Sequence, residues 1–285
     1  MTFRPGPPVP LAATESLTVL AVAKGLYGDL MVSDFAGVRT LWCGQQCQGS
    51  VYLEPAFASG SVRLSPGPVP EAGYAIGWLV AGLQHQQGTM LMVGMGPGSG
   101  VAALLYHFPG LSVVVVEIDC DVIRLARAHF PLIDHYVAAG RLRIVNADIS
   151  FFIRSHASSR WSAILMDAYQ TDTNLYCPRQ LLTDLRPTSD CLWLNLLDSI
   201  DGPRMRALVG LLRQTGWNLG QALPISTCAG RAEFHSGNIL IGTEPLSRTQ
   251  ALAFKPFADL AHEHAATARW VYAAMIRRSF PLAAR

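Results

Sequence analysis

The stretch from Met90 to Gly100 reads MLMVGMGPGSG and joins an apolar, strand-like run to a glycine-rich turn. Glycine lets the backbone turn sharply and come close to a ligand. In open parallel sheets, ligands bind beyond the carboxyl ends of the strands. Gly94, Gly96 and Gly98 are therefore predicted to contact a ligand, although such runs also occur as plain tight turns.

The composition excludes several classes of protein. Half of the 285 residues are hydrophobic, 15% are charged, and the formal net charge is +2. This is enough apolar material for a sizeable core, and no basic block indicates a nucleic-acid surface. No apolar run approaches the roughly 18 residues that cross a bilayer. The start, MTFRPGPPVP, lacks the apolar core of a signal peptide. We expect a cytoplasmic protein that binds neither nucleic acid nor membrane.

Strand-like and helix-like segments alternate from Thr89 onward. The strand-like segments MLMVGMG, SVVVVEID, RLRIVNAD, SAILMDAY and CLWLNLLD are separated by helical patterns. Apolar strands that alternate with helices predict a parallel sheet covered on both faces. QALPISTC and GNILIGTE, separated by a polar turn region, predict a final antiparallel pair. The predicted fold class is α/β with a Rossmann-like sheet.

The first 70 residues have a different pattern. A Pro-rich arm is followed by short strand-like segments, LMVSDF, VRTLWC and SVYLE, before the linker SPGPVPEAG. We predict a small β-rich N-terminal domain over residues 1–70 and a nucleoside-binding catalytic domain over 71–285. A helix over about 254–278 is predicted to close the chain.

Three consecutive strands each end in an acidic residue. Glu117, Asp148 and Asp167 follow the second, third and fourth strands. A carboxylate at the mouth of the sheet can accept from a ribose diol, which is the role we favour for Glu117. Asp148 can accept from an adenine amino group or cap the next helix, and the cap after Glu117 is left to Asp119 or Asp121.

The acids favour a sulfonium nucleoside over a dinucleotide. The dinucleotide fingerprint G-x-G-x-x-G has Ser99 at its third glycine. A dinucleotide site also does not need acids after the third and fourth strands, whereas an adenosine that carries a cation can bind to them. The antiparallel final pair is also typical of S-adenosylmethionine-binding sheets.

These residues resemble the spermidine synthase (aminopropyltransferase) family. GMGPGSG, VEID, NAD and MDAYQTD carry the resemblance, which runs from about Tyr27 to Gly242. YGDLMVSDFAGVRTLW resembles the family's β-hairpin domain. The resemblance implies a β-rich N-terminal domain on a seven-stranded methyltransferase-like sheet, usually as a homodimer.

The resemblance also implies a transfer reaction and its residues. Family members move the aminopropyl group of decarboxylated S-adenosylmethionine onto an amine and release methylthioadenosine. The implied catalytic residues are Asp167, Tyr169 and Asp172, and Tyr74 and Tyr176 are the implied substrate contacts. The implied donor-binding residues are Gln48, Gly94, Gly96, Gly98, Glu117, Ile118, Asp148 and Asp167.

The chemistry of amine alkylation suits these residues. The amine must lose a proton before it attacks the carbon next to sulfur, and Asp167 can accept that proton. Tyr169 can hydrogen-bond the same amine, although Tyr169 and Tyr176 could instead only pack the loop. The sulfonium leaves as a neutral thioether, so no general acid and no metal is expected.

The glycine turn departs from the family pattern GGGDGG. No acid lies between Gly94 and Gly100, so a grip on the amine of the decarboxylated donor is missing, as is a barrier to intact S-adenosylmethionine. We therefore expect either form as the donor. A methyltransferase on the same sheet, or a non-catalytic relative that binds nucleoside, is the alternative.

Overall fold

The structure is a computed structural model that describes residues 16–35, 38–52, 77–130, 132–171, 174–198, 202–218, 220–225, 237–244 and 280–281. The predicted N-terminal arm, the linker, the domain boundary at 70/71 and the predicted closing helix lie outside these residues. The predicted site residues Tyr74 and Asp172 also lie outside them.

A four-stranded antiparallel sheet forms the N-terminal part. Its strands pair in chain order and comprise β1 (Thr18–Lys24), β2 (Asp29–Phe35), β3 (Val38–Cys43) and β4 (Gln46–Tyr52). The predicted β-rich character of this part is confirmed, and β1 is a strand that the sequence pattern did not single out. Leu30, Val32 and Leu41 are buried in the same core cluster as the central strands of the second sheet.

The second sheet has eight strands within the described ranges. They are β5 (Gln87–Val93), β6 (Gly110–Glu117), β7 (Leu142–Asn146), β8 (Ile164–Met166), β11 (Leu192–Asp198), β12 (Gln221–Ile225), β13 (Gly237–Gly242) and β14 (Phe280–Pro281). Their order across the sheet is β14-β12-β13-β11-β8-β5-β6-β7. The predicted number of seven is one short, because the two-residue β14 extends the edge beside β12. The predicted antiparallel pairing of β12 with β13 is confirmed.

Helices cover the parallel part of this sheet. They are α1 (Leu79–Gln84), α2 (Ser99–His107), α3 (Cys120–His129), α4 (Ile133–Ala138), α5 (Ile149–Ser155), α6 (Arg179–Leu185) and α7 (Pro203–Gln214). Two clusters of buried side chains, one on each face, form the core. Within the described ranges, no helix combines the length and the hydropathy that crossing a membrane requires.

The strand order places the candidate site. β5 lies between β6 and β8, and Val93 at its end pairs with Val116 on one side and Met166 on the other. Glu117 pairs in turn with Asn146 at the end of β7. Since these strands run parallel, the glycine turn and the three predicted acids all follow strand ends on one edge. This edge is also where the strand order reverses, the usual ligand position in such sheets.

Candidate functional site

A pocket of about 690 Å³ lies over this edge. Its volume is within the roughly 300–1,000 Å³ typical of small-molecule sites. The N-terminal sheet supplies one wall, and the ends of β5, β6 and β8 and the residues after β7 supply the others. The walls include, among other residues, Tyr27, Cys43, Gln45, Gln46, Gln48, Gly94, Met95, Gly96, Glu117, Ile118, Asp148, Ile149, Asp167, Tyr169 and Tyr176.

The glycine turn brings two other segments into backbone contact. Gly94 has φ +87°, and a Cβ at this position would lie 2.6 Å from the carbonyl oxygen of Asp167. Gly96 has φ +49°, and its Cβ would lie 2.8 Å from the carbonyl oxygen of Gln48. Both positions therefore require glycine for conformation and for space. The backbones of Gln48 and Asp167 thus both pack against the glycine turn.

Gly98 has a different role from the other two predicted glycines. It adopts a left-handed conformation directly before α2 and accepts a backbone hydrogen bond from Ala102. It is not among the residues that line the pocket. A Cβ here would lie 2.5 Å from Cδ1 of Ile133, so this glycine allows α2 to pack against α4.

Glu117 connects the end of β6 to the glycine turn. Its Oε2 accepts from the Met95 backbone N–H at 2.8 Å, and its Oε1 accepts from the Asp119 N–H at 2.9 Å. The residue is 9% exposed. Burial raises the pKa of Glu117, and backbone N–H groups of Asp119, Met95 and Ile118 partly offset that rise. A carboxylate has about four lone-pair sites, so Glu117 can also accept from a hydroxyl group in the pocket.

Asp119, not Glu117, caps the helix after β6. Its Oδ1 accepts from the N–H groups of Asp121 and Val122 at the start of α3. Its Oδ2 accepts from the Leu26 N–H at 2.6 Å, between β1 and β2. One buried carboxylate thus caps α3 and fastens the N-terminal sheet to the edge of the pocket.

Asp148 caps α5 and also lines the pocket. Its Oδ1 accepts from Ser150 N–H at 2.7 Å and from Phe151 N–H at 3.4 Å. Both bonds go to the same oxygen, so the two roles considered for this residue are compatible. Oδ2 is the atom that an amino group in the pocket would use.

Asp167 is the pocket acid whose pKa the fold raises to near neutrality. Burial raises its pKa from 3.8 to about 7, although the Asn195 side-chain amide, which donates to Oδ1 at 2.8 Å, acts in the opposite direction. The indole N–H of Trp78 also favours the ionised form, but its geometry falls short of a hydrogen bond and the buried nitrogen has no partner. A carboxyl that titrates near neutrality can both bind a cation and accept a proton.

Two of the three predicted tyrosines, Tyr169 and Tyr176, line the pocket and are held by other groups. The Tyr169 hydroxyl donates to the Asn195 carbonyl oxygen at 2.6 Å. Burial and the neighbouring Asp167 carboxylate raise the pKa of Tyr169. The Tyr176 hydroxyl lies 3.1 Å from Oγ of Ser150 on α5. Because the Tyr169 proton is committed to a carbonyl group, its oxygen faces a ligand as an acceptor.

Sequence reasoning assigned no site role to Tyr27 and did not identify Asn195. Tyr27 lies between β1 and β2 and lines the pocket, and its pKa is raised by burial and by Asp148 and Glu117. No periodic pattern marks a turn residue of this kind. Asn195 had a signal, since it is a 2% exposed amide within the otherwise apolar segment CLWLNLL.

The pocket carries charge of only one sign. Its walls include the four acids Glu117, Asp119, Asp148 and Asp167, and none of the described residues that line it is Lys, Arg or His. Low-dielectric walls strengthen the field of these carboxylates inside the cleft. The site is therefore suited to a positively charged ligand and poorly suited to phosphate groups.

Comparison with solved structures identifies the fold. A probable spermidine synthase from Corynebacterium glutamicum matches with a TM-score of 0.61 and 14% identity, over 92% of this chain and 95% of that chain. A spermidine synthase in complex with the transition-state analogue AdoDATO matches with a TM-score of 0.59 and 8% identity, over 82% of this chain and 76% of that one. The enzyme from Thermotoga maritima matches with a TM-score of 0.55 and 9% identity, over 79% and 73%.

No family model and no curated protein matches the sequence. At these low identities, the structural matches establish the fold. The predicted resemblance to spermidine synthases is confirmed at that level.

The raised pKa of Asp167 predicts a pH-dependent effect on stability. The folded protein keeps this proton up to about pH 7, whereas the unfolded chain releases it near pH 4. Below pH 4 the carboxyl is neutral in both states, so its ionisation does not affect stability. As the pH rises from 4 to 7, the unfolded chain ionises while the folded protein does not, so the free energy of unfolding falls. Asp167→Asn should leave the free energy of unfolding unchanged near pH 4 and raise it by up to about 4 kcal/mol above pH 7, at about 1.36 kcal/mol per pKa unit. Guanidinium unfolding at about pH 4 and pH 8 measures both values, and equal differences at the two pH values would contradict the assignment.

Proposed function

We propose that this protein is a transferase that alkylates an amine with S-adenosylmethionine or its decarboxylated form and releases methylthioadenosine. The observation that carries the proposal is the pocket at the reversal point of the sheet, whose described charged side chains are all acidic. A sulfonium donor and an ammonium acceptor are both cations. A dinucleotide would bring two phosphates to the same four carboxylates.

The structural comparisons support the same reaction class. Two spermidine synthases and one probable spermidine synthase match this chain over 79–92% of its length. One of them holds the transition-state analogue AdoDATO. The chain shares their fold, and its four-stranded N-terminal sheet forms one wall of the pocket.

The residues present fit an adenosine at this site. We assign Glu117 to the ribose hydroxyls, because it lines the pocket at the end of β6 while it holds the turn. Asp148 Oδ2 is placed for the adenine amino group, with the apolar Ile118 and Ile149 beside it. Gly94 and Gly96 leave room for the sulfur-bearing arm close to Gln48 and Asp167, where side chains would not fit.

Asp167 is the proton acceptor in this mechanism. The donor supplies a carbon made electrophilic by the adjacent sulfonium, and the electron pair of the broken C–S bond remains on sulfur as a neutral thioether. The amine nitrogen forms the new C–N bond and loses one proton, which passes to the Asp167 carboxylate. Asn195 fixes one oxygen of that carboxylate at 2.8 Å, so the other is directed to the amine. The Tyr169 oxygen can accept a second N–H and orient the nitrogen.

Two features act in opposite directions on the choice of donor. The acidic pocket disfavours the carboxylate of intact S-adenosylmethionine, whereas the turn from Gly94 to Gly100 contains no acid to grip the decarboxylated amine. The N-terminal sheet lines the pocket with the neutral side chains Gln45, Gln46 and Gln48, and the Gln48 backbone lies against the turn at Gly96. We propose the decarboxylated form as the better donor, because the long-range field of four carboxylates is not offset by a described cation in the pocket.

Turnover with defined donors tests the proposal. Incubation with either donor and a panel of diamines should give methylthioadenosine, with a higher kcat/KM for the decarboxylated donor. Asp167→Asn should lower kcat by about 10²–10⁴-fold, the usual contribution of a positioned base, and change nucleoside affinity little. Chromatography of the nucleoside product provides the readout.

The matched control is Asp134→Asn, which alters an exposed acid paired with Arg127 on the surface. Its turnover should equal that of the unaltered protein. S-adenosylhomocysteine as the product would instead identify a methyltransferase. Tight binding of nucleoside without turnover of any amine would identify a non-catalytic relative.

Nucleoside binding is tested separately through Glu117. In Glu117→Gln, an amide NH₂ must face the N–H of either Met95 or Asp119, so one backbone donor loses its acceptor. We expect the Kd for methylthioadenosine to rise by about 10- to 100-fold, the equivalent of about 1.4–2.8 kcal/mol. Isothermal titration calorimetry measures this, and the same surface variant, Asp134→Asn, is the control that should keep the original Kd. An unchanged Kd in Glu117→Gln would remove Glu117 from the nucleoside site.

We further propose that the protein is a homodimer. Among the strands that the structure describes, β1 is at the edge of the N-terminal sheet. Val22 on it is 71% exposed, and Leu17 and Val19 are at least half exposed. An exposed, apolar edge strand is a template for pairing with a second chain. Light scattering should give about twice the 30.8 kDa chain mass, and Val22→Lys should shift the protein toward monomer. Phe151→Lys, at an equally exposed position on α5, is the control, and a monomer before any substitution would refute the proposal.

A further inference from the structure

A second cluster of reactive side chains lies at the opposite edge of the same sheet. His85 follows α1 and precedes β5, Cys191 directly precedes β11, and Glu244 follows β13. One ligand atom from each residue lies within 4.8 Å of the other two. The pocket is at the other end of β5, about 20 Å away at roughly 3.3 Å per residue. The cluster is thus separate from the proposed catalytic residues.

We propose that His85, Cys191 and Glu244 form a zinc-binding site with one position left for water. An imidazole, a thiolate and a carboxylate are the three kinds of side chain that bind Zn²⁺ in proteins. The charges also balance, since a thiolate and a carboxylate together neutralise a divalent cation. Neither the pocket nor the proposed transfer reaction uses any of these residues.

The separation of the imidazole and the carboxylate fits a shared metal better than a direct bond. His85 Nε2 and Glu244 Oε2 are 3.5 Å apart. Nε2 is buried, and its contact with the Glu244 carboxylate is an ion-pair distance that lacks the geometry of a hydrogen bond. Two such ligands on one tetrahedral zinc, at about 2.0–2.2 Å from the metal, are about 3.4 Å apart. An ion between them would satisfy both groups at their present spacing.

Gln84 orients the parts of this cluster relative to one another. Its Nε2 donates to the Glu244 carbonyl oxygen at 3.1 Å, and its Oε1 accepts from the Trp193 indole at 2.9 Å. Cys191 Sγ lies 3.9 Å from the same Oε1. The cluster therefore rests on partly buried hydrogen bonds that join α1 to β11 and to the end of β13.

The thiol in this site differs from an ordinary reactive cysteine. Cys191 is buried, and burial together with the Glu244 charge raises the pKa of its thiol. Without a cation it stays protonated and inert. Zinc binding replaces the S–H proton with an S–Zn bond and releases that proton to solvent, with no oxidant or reductant involved.

Another cluster of possible ligands in the described part of the chain, Asp119, Cys120 and Asp121, has carboxylates that are already paired. Both oxygens of Asp119 already accept backbone N–H groups from Leu26, Asp121 and Val122. Asp121 is paired with Arg124 at 2.7 Å. These groups are satisfied without a cation.

Titration of the full chain with Co²⁺ and Zn²⁺ tests the site. We expect one Co²⁺ per chain with a thiolate-to-cobalt charge-transfer band and the visible bands of tetrahedral cobalt, all displaced by Zn²⁺. Cys191→Ser should abolish the charge-transfer band. His85→Gln and Glu244→Gln should each weaken Zn²⁺ binding by at least about 100-fold while the band persists at saturating Co²⁺, since a lost ligand costs at least as much as a lost supporting residue.

Cys120→Ser is the matched control and should bind both metals unchanged. Glu244→Gln, at a half-exposed side chain, keeps the test valid if the buried Cys191→Ser variant fails to fold. The proposal is overturned if the unaltered protein binds no metal at equilibrium dialysis, if the thiolate band survives Cys191→Ser, or if it disappears in Cys120→Ser. Unchanged zinc affinity in both His85→Gln and Glu244→Gln would also overturn it.

Discussion

The site depends on one buried carboxylate, Glu117, at the end of β6. A glycine turn has many conformations available, so it needs an external partner to hold one of them. Glu117 provides it by accepting the Met95 N–H with one oxygen and the Asp119 N–H with the other. This arrangement fixes the turn after β5 and the entry to α3 with the same group. The cost of burying the charge is partly offset by these backbone donors, which follow strands that are already paired side by side.

Further carboxylates use the same principle at their own strand ends. Asp119 caps α3 and holds the N-terminal sheet through Leu26, and Asp148 caps α5. A helix cap normally contributes about 1 kcal/mol, so each of these acids has a structural role whatever the pocket binds. These acids therefore stabilise the fold, and their positions at this edge also give the pocket its negative field. Asp167 is different, because it caps nothing and is held by a side-chain amide from the neighbouring strand.

The opposite edge of the sheet is organised around different chemistry. Cys191 and Glu244 are brought together because β11 and β13 run antiparallel, with the Leu192 N–H donating to the Thr243 hydroxyl at 2.9 Å. The end of α1 then delivers His85 beside them. The proposed alkyl transfer takes place at the edge where β5 ends, while the proposed zinc site would fasten α1 to the last strands at the edge where β5 begins. The two proposals rest on separate residues and can fail independently.

The sequence by itself determined the class of the fold and the edge where the acids meet. Apolar runs such as SVVVVE and LWLNLL allow little but buried parallel strands, and acids that follow parallel strands must share an edge. The short α4 and the hairpin of β9 (Tyr169–Thr171) with β10 (Asn174–Leu175) were not predictable, because two- to six-residue elements carry too little periodicity. The tertiary structure alone decided which acid caps the helix after β6, since Asp119 and Asp121 are both candidates until the backbone N–H groups have positions. It alone placed Tyr27 at the pocket, Asn195 against Asp167 and His85 beside Cys191. Contacts between residues far apart in the chain follow from strand order, which no local pattern contains.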